Sequence, residues 1–320
     1  MKTTTNQIAM DVYEAAHEAA ILVDRSDVGV LVFRGETRLD LIDRMSTQKV
    51  KHLRPGEGAA TILTTDIGRM IDRIILYVDT DKVYAFSGEH NSDNVARYLM
   101  RFVFFNDDFH IQDISSEMAI LGVYGPEARE MLAAAGLPEE DLPLHHWRPV
   151  EMAGVTASLH RTDPLNGDGY LVMCQAADKE ALWQHLVGSG LVVAGEDAFE
   201  FLRIEAGRPR FGHEIGNDYI PLEANLWDDV SFNKGCYIGQ EIIARMESRG
   251  RIAKKLVKLR PTEPVEVGAE ITADGRKAGT VTSAAIGPHG PVALGYVKTA
   301  ALDADEPTLS AEGVVLKVAG

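Results

Sequence analysis

The chain begins with a helical pattern. In NQIAMDVYEAAHEAA, Ile8, Val12, Ala15 and Ala19 recur at spacings of three and four, which lines one face of a helix. VGVLVF is an unbroken apolar run of strand length, and ETRLDLIDRM returns to helical spacing through Leu39, Ile42 and Met45. GAATILTT and RMIDRIILYV predict two strands parted by the turn-like Asp66-Ile67-Gly68, and KVYAFS, reached across Asp79-Thr80-Asp81, predicts a third. A helix is expected to start at the capping residues Asn91 or Ser92 and to run through Val95, Leu99 and Phe102. FHIQDI and MAILGVY read as strands. GPEAREMLAAAG reads as a short helix with proline at its opening and glycine at its close.

LPEEDLPLHHWR, rich in proline and charge, reads as a connection between units. Beyond it the same grammar returns: strands GVTASLHR and GYLVMC, then helices DKEALWQHLVGSG and EDAFEFLRIEAG, a weak internal repeat. From about residue 253 the texture changes to short β segments, KKLVKLRP, AEITA, KAGTVTSAAI, VALGYV and GVVLKV, separated by Gly, Pro and Asp turns. That pattern predicts a small antiparallel barrel or sandwich. The expected organisation is an α+β protein with units at residues 1–147, 148–252 and 253–320.

Composition narrows the class. The 320 residues are 45% hydrophobic and 25% charged, as in an ordinary soluble globular protein with real cores. No apolar run approaches the roughly eighteen residues that span a bilayer. The polar start MKTTTNQIAM lacks a signal-peptide core, so the expected location is the cytoplasm, with no membrane partner. A formal net charge of −16 argues against a general nucleic-acid binder, which needs a basic surface. One stretch runs the other way: RMESRGRIAKKLVKLR, residues 245 to 260, holds seven Lys or Arg and one acidic residue. It reads either as a solvated helix end with a charged edge strand or as a surface for a small, multiply charged anion. The adjacent His145 and His146 do not share a helix face and have no partner cluster nearby in sequence, so a metal site is not expected there.

The two cysteines, Cys174 and Cys236, stand far apart and form no metal spacing. Cys236 lies in KGCYIGQE, before a segment whose Ile242, Ile243 and Met246 predict a helix. Free N–H groups at a helix start and the nearby Lys234 both favour thiolate over thiol. Gly235 and Gly239 allow a tight turn. The competing reading is a small buried hydrophobe. No GxSxG is present and no histidine is tied to Cys236 by local spacing, so no nucleophilic triad is indicated.

KGCYIGQE matches at each position the signature of the YgfZ-like family, folate-binding proteins of iron–sulfur cluster assembly and repair related to the glycine-cleavage T protein (aminomethyltransferase). FLRIEAGRPRFGHEI with IPLEANL resembles the folate-domain core of both families, and KAGTVTSAAIGPHGPVALGYV is similar to their C-terminal barrel. LRPGEGAATILTTDIGRMIDRIILYV resembles the region that builds one wall of the folate pocket. The resemblance implies two α+β units plus a C-terminal antiparallel β-barrel, in a cloverleaf ring around a central folate-binding channel. It implies tetrahydrofolate, polyglutamylated in the cell, as the cofactor, and iron–sulfur carrier or client proteins as partners. In that reading Cys236 is the reactive thiolate with Lys234 as its electrostatic partner, and Asp72, Arg203, Glu223 and Gln240 contact the cofactor. Arg249 and Arg251, in the basic run, meet the glutamate tail.

The expected function is that of a tetrahydrofolate-dependent accessory protein for iron–sulfur clusters. The alternative is a folate-dependent aminomethyl- or methyltransferase of the T-protein type. Two departures weigh against the alternative. Arg73 stands where the T proteins carry the second of two acidic residues, and NGDGYL keeps Asp168 and Gly169 but has Leu171 in place of the carboxylate that holds the pterin's amino-pyrimidine edge.

Overall fold

Helix α1 (Met10–Glu18) leads into β1 (Ile21–Asp24), β2 (Val28–Arg34) and α2 (Arg38–Met45). Then come β3 (Gly58–Thr64), β4 (Met70–Val78), β5 (Lys82–Glu89), α3 (Ser92–Met100), β6 (His110–Asp113), β7 (Met118–Gly125) and α4 (Ala128–Ala134). The middle of the chain forms β8 (Trp147–Met152), β9 (Val155–Arg161), β10 (Asp168–Gln175), α5 (Lys179–Gly188), β11 (Val192–Ala194), α6 (Glu196–Ala206) and α7 (Gln240–Arg249). The remainder is β12 (Lys254–Pro261), β13 (Glu270–Ala273), β14 (Arg276–Gly287), β15 (Gly290–Lys298), α8 (Thr299–Leu302), β16 (Leu309–Ala311) and β17 (Val314–Ala319). This computed structural model describes residues 8–139, 141–250, 252–304 and 308–319.

The strands form two sheets and a barrel, ordered β3-β4-β5-β2-β6, β11-β1-β7-β10-β9-β8 and, closed on itself, β12-β15-β14-β13-β16-β17. Two-residue periodicity explains the layering. In β2, Leu31 and Phe33 pack with Leu41 and Ile42 of α2 and Val95 and Leu99 of α3. Val30 and Val32 point the other way, into a core shared with Ile120 and Tyr124 of β7 and Phe199 of α6. The run VGVLVF is unbroken because both of its faces are covered. On the second sheet, Leu22, Leu121 and Val172 pack against Leu132 of α4 and Leu182 and Leu186 of α5. The two sheets thus face one another across the shared core, with helices α2–α5 outside.

The boundary expected at residue 147 does not divide the sheets. Strands β1 and β7 lie before it, yet they pair with each other and with β11 and β10. Pairing is non-local, and chain order alone does not reveal it. Local pattern also missed β8, whose Pro149 sits in the edge strand of its sheet, where a missing N–H is tolerated. Asn91 occupies the N-cap position of α3, but its side-chain amide donates to Asp72 Oδ2 at 2.9 Å instead of capping the helix.

The barrel is fastened to the other two units through α6 and the segment behind it. Tyr296 Oη of β15 donates to the carbonyl of Glu214 at 2.8 Å. Between Gly207 and Gly239 the chain has neither helix nor strand. Long stretches of this kind in a compact protein are usually functional, and this one borders both candidate sites. Among the described residues, no helix is long and apolar enough to cross a membrane.

Candidate functional site

A chamber opens where the two sheets, α6 and the segment after it converge. Its walls include Phe86, Tyr124, Phe199 and Phe211, with Leu171 of β10. These rings give it apolar faces suited to a flat ligand. Gly88 is required here: a Cβ on it would lie 2.4 Å from Phe211 Cβ and 3.0 Å from Asp72 Oδ1.

Asp72 borders the chamber and is 0% exposed. It accepts from the backbone N–H groups of Arg73 (2.8 Å) and Gly88 (2.9 Å) and from the Asn91 amide (2.9 Å). Burial pushes its pKa up to about 7, against the pull of those three donors. Near neutral pH it is therefore able both to hold and to accept a proton, which is what an acid–base group requires.

Arg73 does not leave the chamber without a second carboxylate. Its Nη1 donates to Asp163 Oδ2 at 2.7 Å, and its Nε to Asp229 Oδ2 at 2.5 Å. Asp163, from the β9–β10 connection, lines the chamber. Burial alone would raise its pKa, but Arg73 foremost, with His145, holds it at about 2. Sequence reading missed Asp163, because nothing local links it to Arg73 ninety positions earlier. It also missed Arg25, Glu89 and Arg210, an ion cluster in the same wall in which Glu89 bridges the two guanidiniums.

Cys236 lies outside this chamber, exposed at the crown of an arch. Lys234 anchors one foot. Its Nζ donates to the carbonyls of Asp43 (2.6 Å), Ser46 (3.0 Å) and Gln48 (2.7 Å), and its side chain is 1% exposed. Burial pulls its pKa down to about 8, against the Asp43 carboxylate. The other foot is Ile238, whose carbonyl accepts from Thr64 Oγ1 at 2.6 Å. Gly239 then turns the chain into α7 with φ +83°, and a Cβ there would meet the Thr65 carbonyl at 2.6 Å. Lys234 was expected as the partner of the thiol. Its ammonium is instead committed to three carbonyls at the end of α2, so it acts as a clamp for the arch. Cys174 is buried in the second sheet, and burial pushes its thiol up to about 11. One equivalent of iodoacetamide should accordingly label Cys236 and leave Cys174 unmodified until the protein is unfolded, as read by peptide mass spectrometry.

Arg203 is a further correction. It borders the chamber at 2% exposure, but its donors are already taken. Nη1 binds Glu214 at 2.7 Å, Nη2 binds Ser283 Oγ at 2.5 Å, and Glu200 takes Nε at 3.0 Å. It joins α6 to the barrel and does not present a free guanidinium to the opening. Glu223 is buried away from the chamber lining and receives the N–H of Ile220 at 3.1 Å; burial raises its pKa. Gln240 opens α7 and also lies off the lining. Arg251 and the side chain of Arg249 lie outside the described residues. Of the rest of the basic run, Lys254 donates to the Asp218 carbonyl over Tyr219, Arg260 pairs with Glu205, and neither lines the chamber.

Comparison with known proteins settles the family. Residues 2–234 match the GCVT N-terminal domain, and residues 254–318 match the glycine cleavage T-protein C-terminal barrel domain. The chain belongs to the glycine-cleavage T-protein family. An aminomethyltransferase of Symbiobacterium thermophilum is 32% identical over 314 residues, covering 90% of this chain and 81% of that protein. One from Geobacillus kaustophilus is 30% identical over 315 residues, covering 94% and 84%. A putative chloroplastic transferase of Arabidopsis thaliana is 27% identical over 288 residues, covering 89% and 67%. The crystal structure of aminomethyltransferase T from Bartonella henselae superposes with a TM-score of 0.85 at 23% identity, over 97% of this chain and 88% of that one. The T-protein fold, with its closed C-terminal barrel, therefore runs through the whole molecule.

Proposed function

We propose that this T-family protein is a folate-dependent transferase that handles a one-carbon unit in its central chamber. The observation that carries this reading is the pairing, in one aromatic-walled space, of Asp72 with a pKa near 7 and Asp163 held ionised by Arg73. The sequence weighed against transfer because Arg73 and Leu171 displace two carboxylates. Asp163 answers that objection, since it brings a carboxylate into the chamber from another part of the chain. The order of the two expected functions is accordingly reversed, and the aminomethyltransferase relatives favour the same order.

Tetrahydrofolate would supply the nucleophilic amine and carry away the one-carbon unit. The residues suit it: Phe86, Phe199 and Phe211 offer faces for a fused ring, and Asp163 an acceptor for ring N–H groups. Asp72 would take or return a proton at the reacting amine. Calorimetric titration should give one site for tetrahydrofolate, weakened in Asp163→Asn. Absence of any binding by the folded protein would remove this reading.

A second reading rests on the arch. An exposed cysteine clamped on both sides, in an octapeptide that resembles the YgfZ-like signature, supports an accessory role in iron–sulfur cluster maintenance. Cells carrying Cys236→Ala should then lose activity of iron–sulfur enzymes, whereas the transferase reading leaves them unaffected.

A further inference from the structure

The arch and the chamber share one side chain. Arg73 projects from β4 between two carboxylates that belong to different parts of the molecule. Asp163 lies in the chamber wall, whereas Asp229 lies in the segment that runs into the arch. From Asp229 onward that segment is tied down closely. Its carbonyl accepts from Thr47 Oγ1 at 2.6 Å, Ser231 N–H donates to the Thr47 carbonyl at 2.9 Å, and Lys234 closes on the end of α2. These ties all run to the end of α2 and the residues just beyond it. The Asp229 carboxylate is the one group of the described segment bonded to Arg73.

We propose that Arg73 is a positioning residue that couples occupancy of the chamber to the order of the cysteine arch. The geometry gives the direction. Arg73 grips Asp229 unevenly, with Nε–Oδ2 at 2.5 Å but Nη2–Oδ1 at 3.4 Å. Its third arm, Nη1, is held by Asp163 at 2.7 Å. One guanidinium thus divides itself between two carboxylates: Asp163 receives one arm, and Asp229 two, of which the second is stretched short of the tight fork that is the stronger geometry for arginine and carboxylate. A ligand that brings N–H groups to Asp163 competes with Nη1 for that oxygen. Release of Nη1 lets the guanidinium swing onto Asp229 and close the fork there. The segment leading to Lys234 and Cys236 is then held more firmly. By linkage, an arch held in its ordered form favours ligand in the chamber by the same factor.

The coupling rests on the folate reading above, so the test separates the two. Hydrogen exchange of the peptide covering residues 229–239 is followed by mass spectrometry, with and without tetrahydrofolate under argon, beside calorimetric titration. In the wild-type protein the ligand should slow exchange of this peptide about fivefold or more, in the usual range of coupling between sites. In Asp229→Asn, whose side chain does not line the chamber, the ligand should still bind, weakened by no more than about the factor by which it slows wild-type exchange, while the exchange no longer responds. In Asp163→Ala, which leaves no acceptor for Nη1 at that position, exchange should already be slow with no ligand present. This arm needs neither ligand binding nor the Asp229 variant to fold. An exchange response that persists in Asp229→Asn, or an arch in Asp163→Ala as labile as in the empty wild type, overturns the coupling. Ligand binding without any change at residues 229–239 overturns the coupling and leaves the folate reading intact. Failure of the wild type to bind tetrahydrofolate removes both.

Discussion

Arg203→Met should lower the stability of the protein by about 3–5 kcal/mol, the usual cost of removing one partner from a buried ion pair. Glu214 is 0% exposed, and in the variant only Ser283 Oγ (2.6 Å) and the Arg210 N–H (3.1 Å) remain to donate to it. Methionine fills much of the volume, so the loss reports the unpaired carboxylate more than a cavity. Because α6 and the barrel meet at this network, the barrel should loosen first. Urea unfolding followed by circular dichroism measures the effect. A loss below about 1 kcal/mol, accompanied by a collapse in tetrahydrofolate affinity, would restore the expectation that Arg203 serves the ligand directly.

Asp72→Asn should reduce single-turnover transfer from an aminomethylated lipoyl carrier to tetrahydrofolate by about 10²–10⁴-fold, the span typical of losing a positioned proton acceptor. The carboxylate is the form that accepts a proton, so wild-type kcat/KM should rise with pH through about 7 and level off above it. A variant that keeps more than a tenth of the wild-type rate would show Asp72 to be structural. Stability offers an independent check of the same group. Its folded pKa lies above the unperturbed value of about 3.9, so its contribution favours folding at low pH and is lost as pH rises toward 7. Urea midpoints of the wild type, taken relative to Asp72→Asn, should therefore fall between about pH 4 and 7 and stay flat beyond.

Much of this could be read along the chain. The helix α2, strands β2 to β5 and five of the six barrel strands, all but β16, announced themselves through period and turn residues, and KGCYIGQE marked a turn before a helix. Gly239 justifies the glycine in that motif, since its positive φ and the nearby Thr65 carbonyl exclude a side chain. The cysteine's neighbour was misread. A lysine two residues away suggested a charge beside the thiol, yet Lys234 turns inward to three carbonyls of another segment. Spacing gives distance along the chain but not direction. Arg203 was misread for a similar reason: its helix position was legible, whereas Glu214 and Ser283 reach it from a loop and from the barrel.

Legible along the chain was therefore local order: the alternation that makes each strand two-faced, the helical stripes that cover the sheets, the glycine turn below Cys236 and the likeness to the T-protein family. Tertiary structure alone decided that β1 and β7 belong with β10 and β11, that Asp163 and Asp229 share Arg73, and that Asp72 is dry enough to titrate near neutrality. Periodicity is set by backbone geometry within a few residues, so it is written in the chain. The charge state of a carboxylate depends on which groups the fold carries to it and on how much water it removes, and neither is a property of its neighbours in sequence.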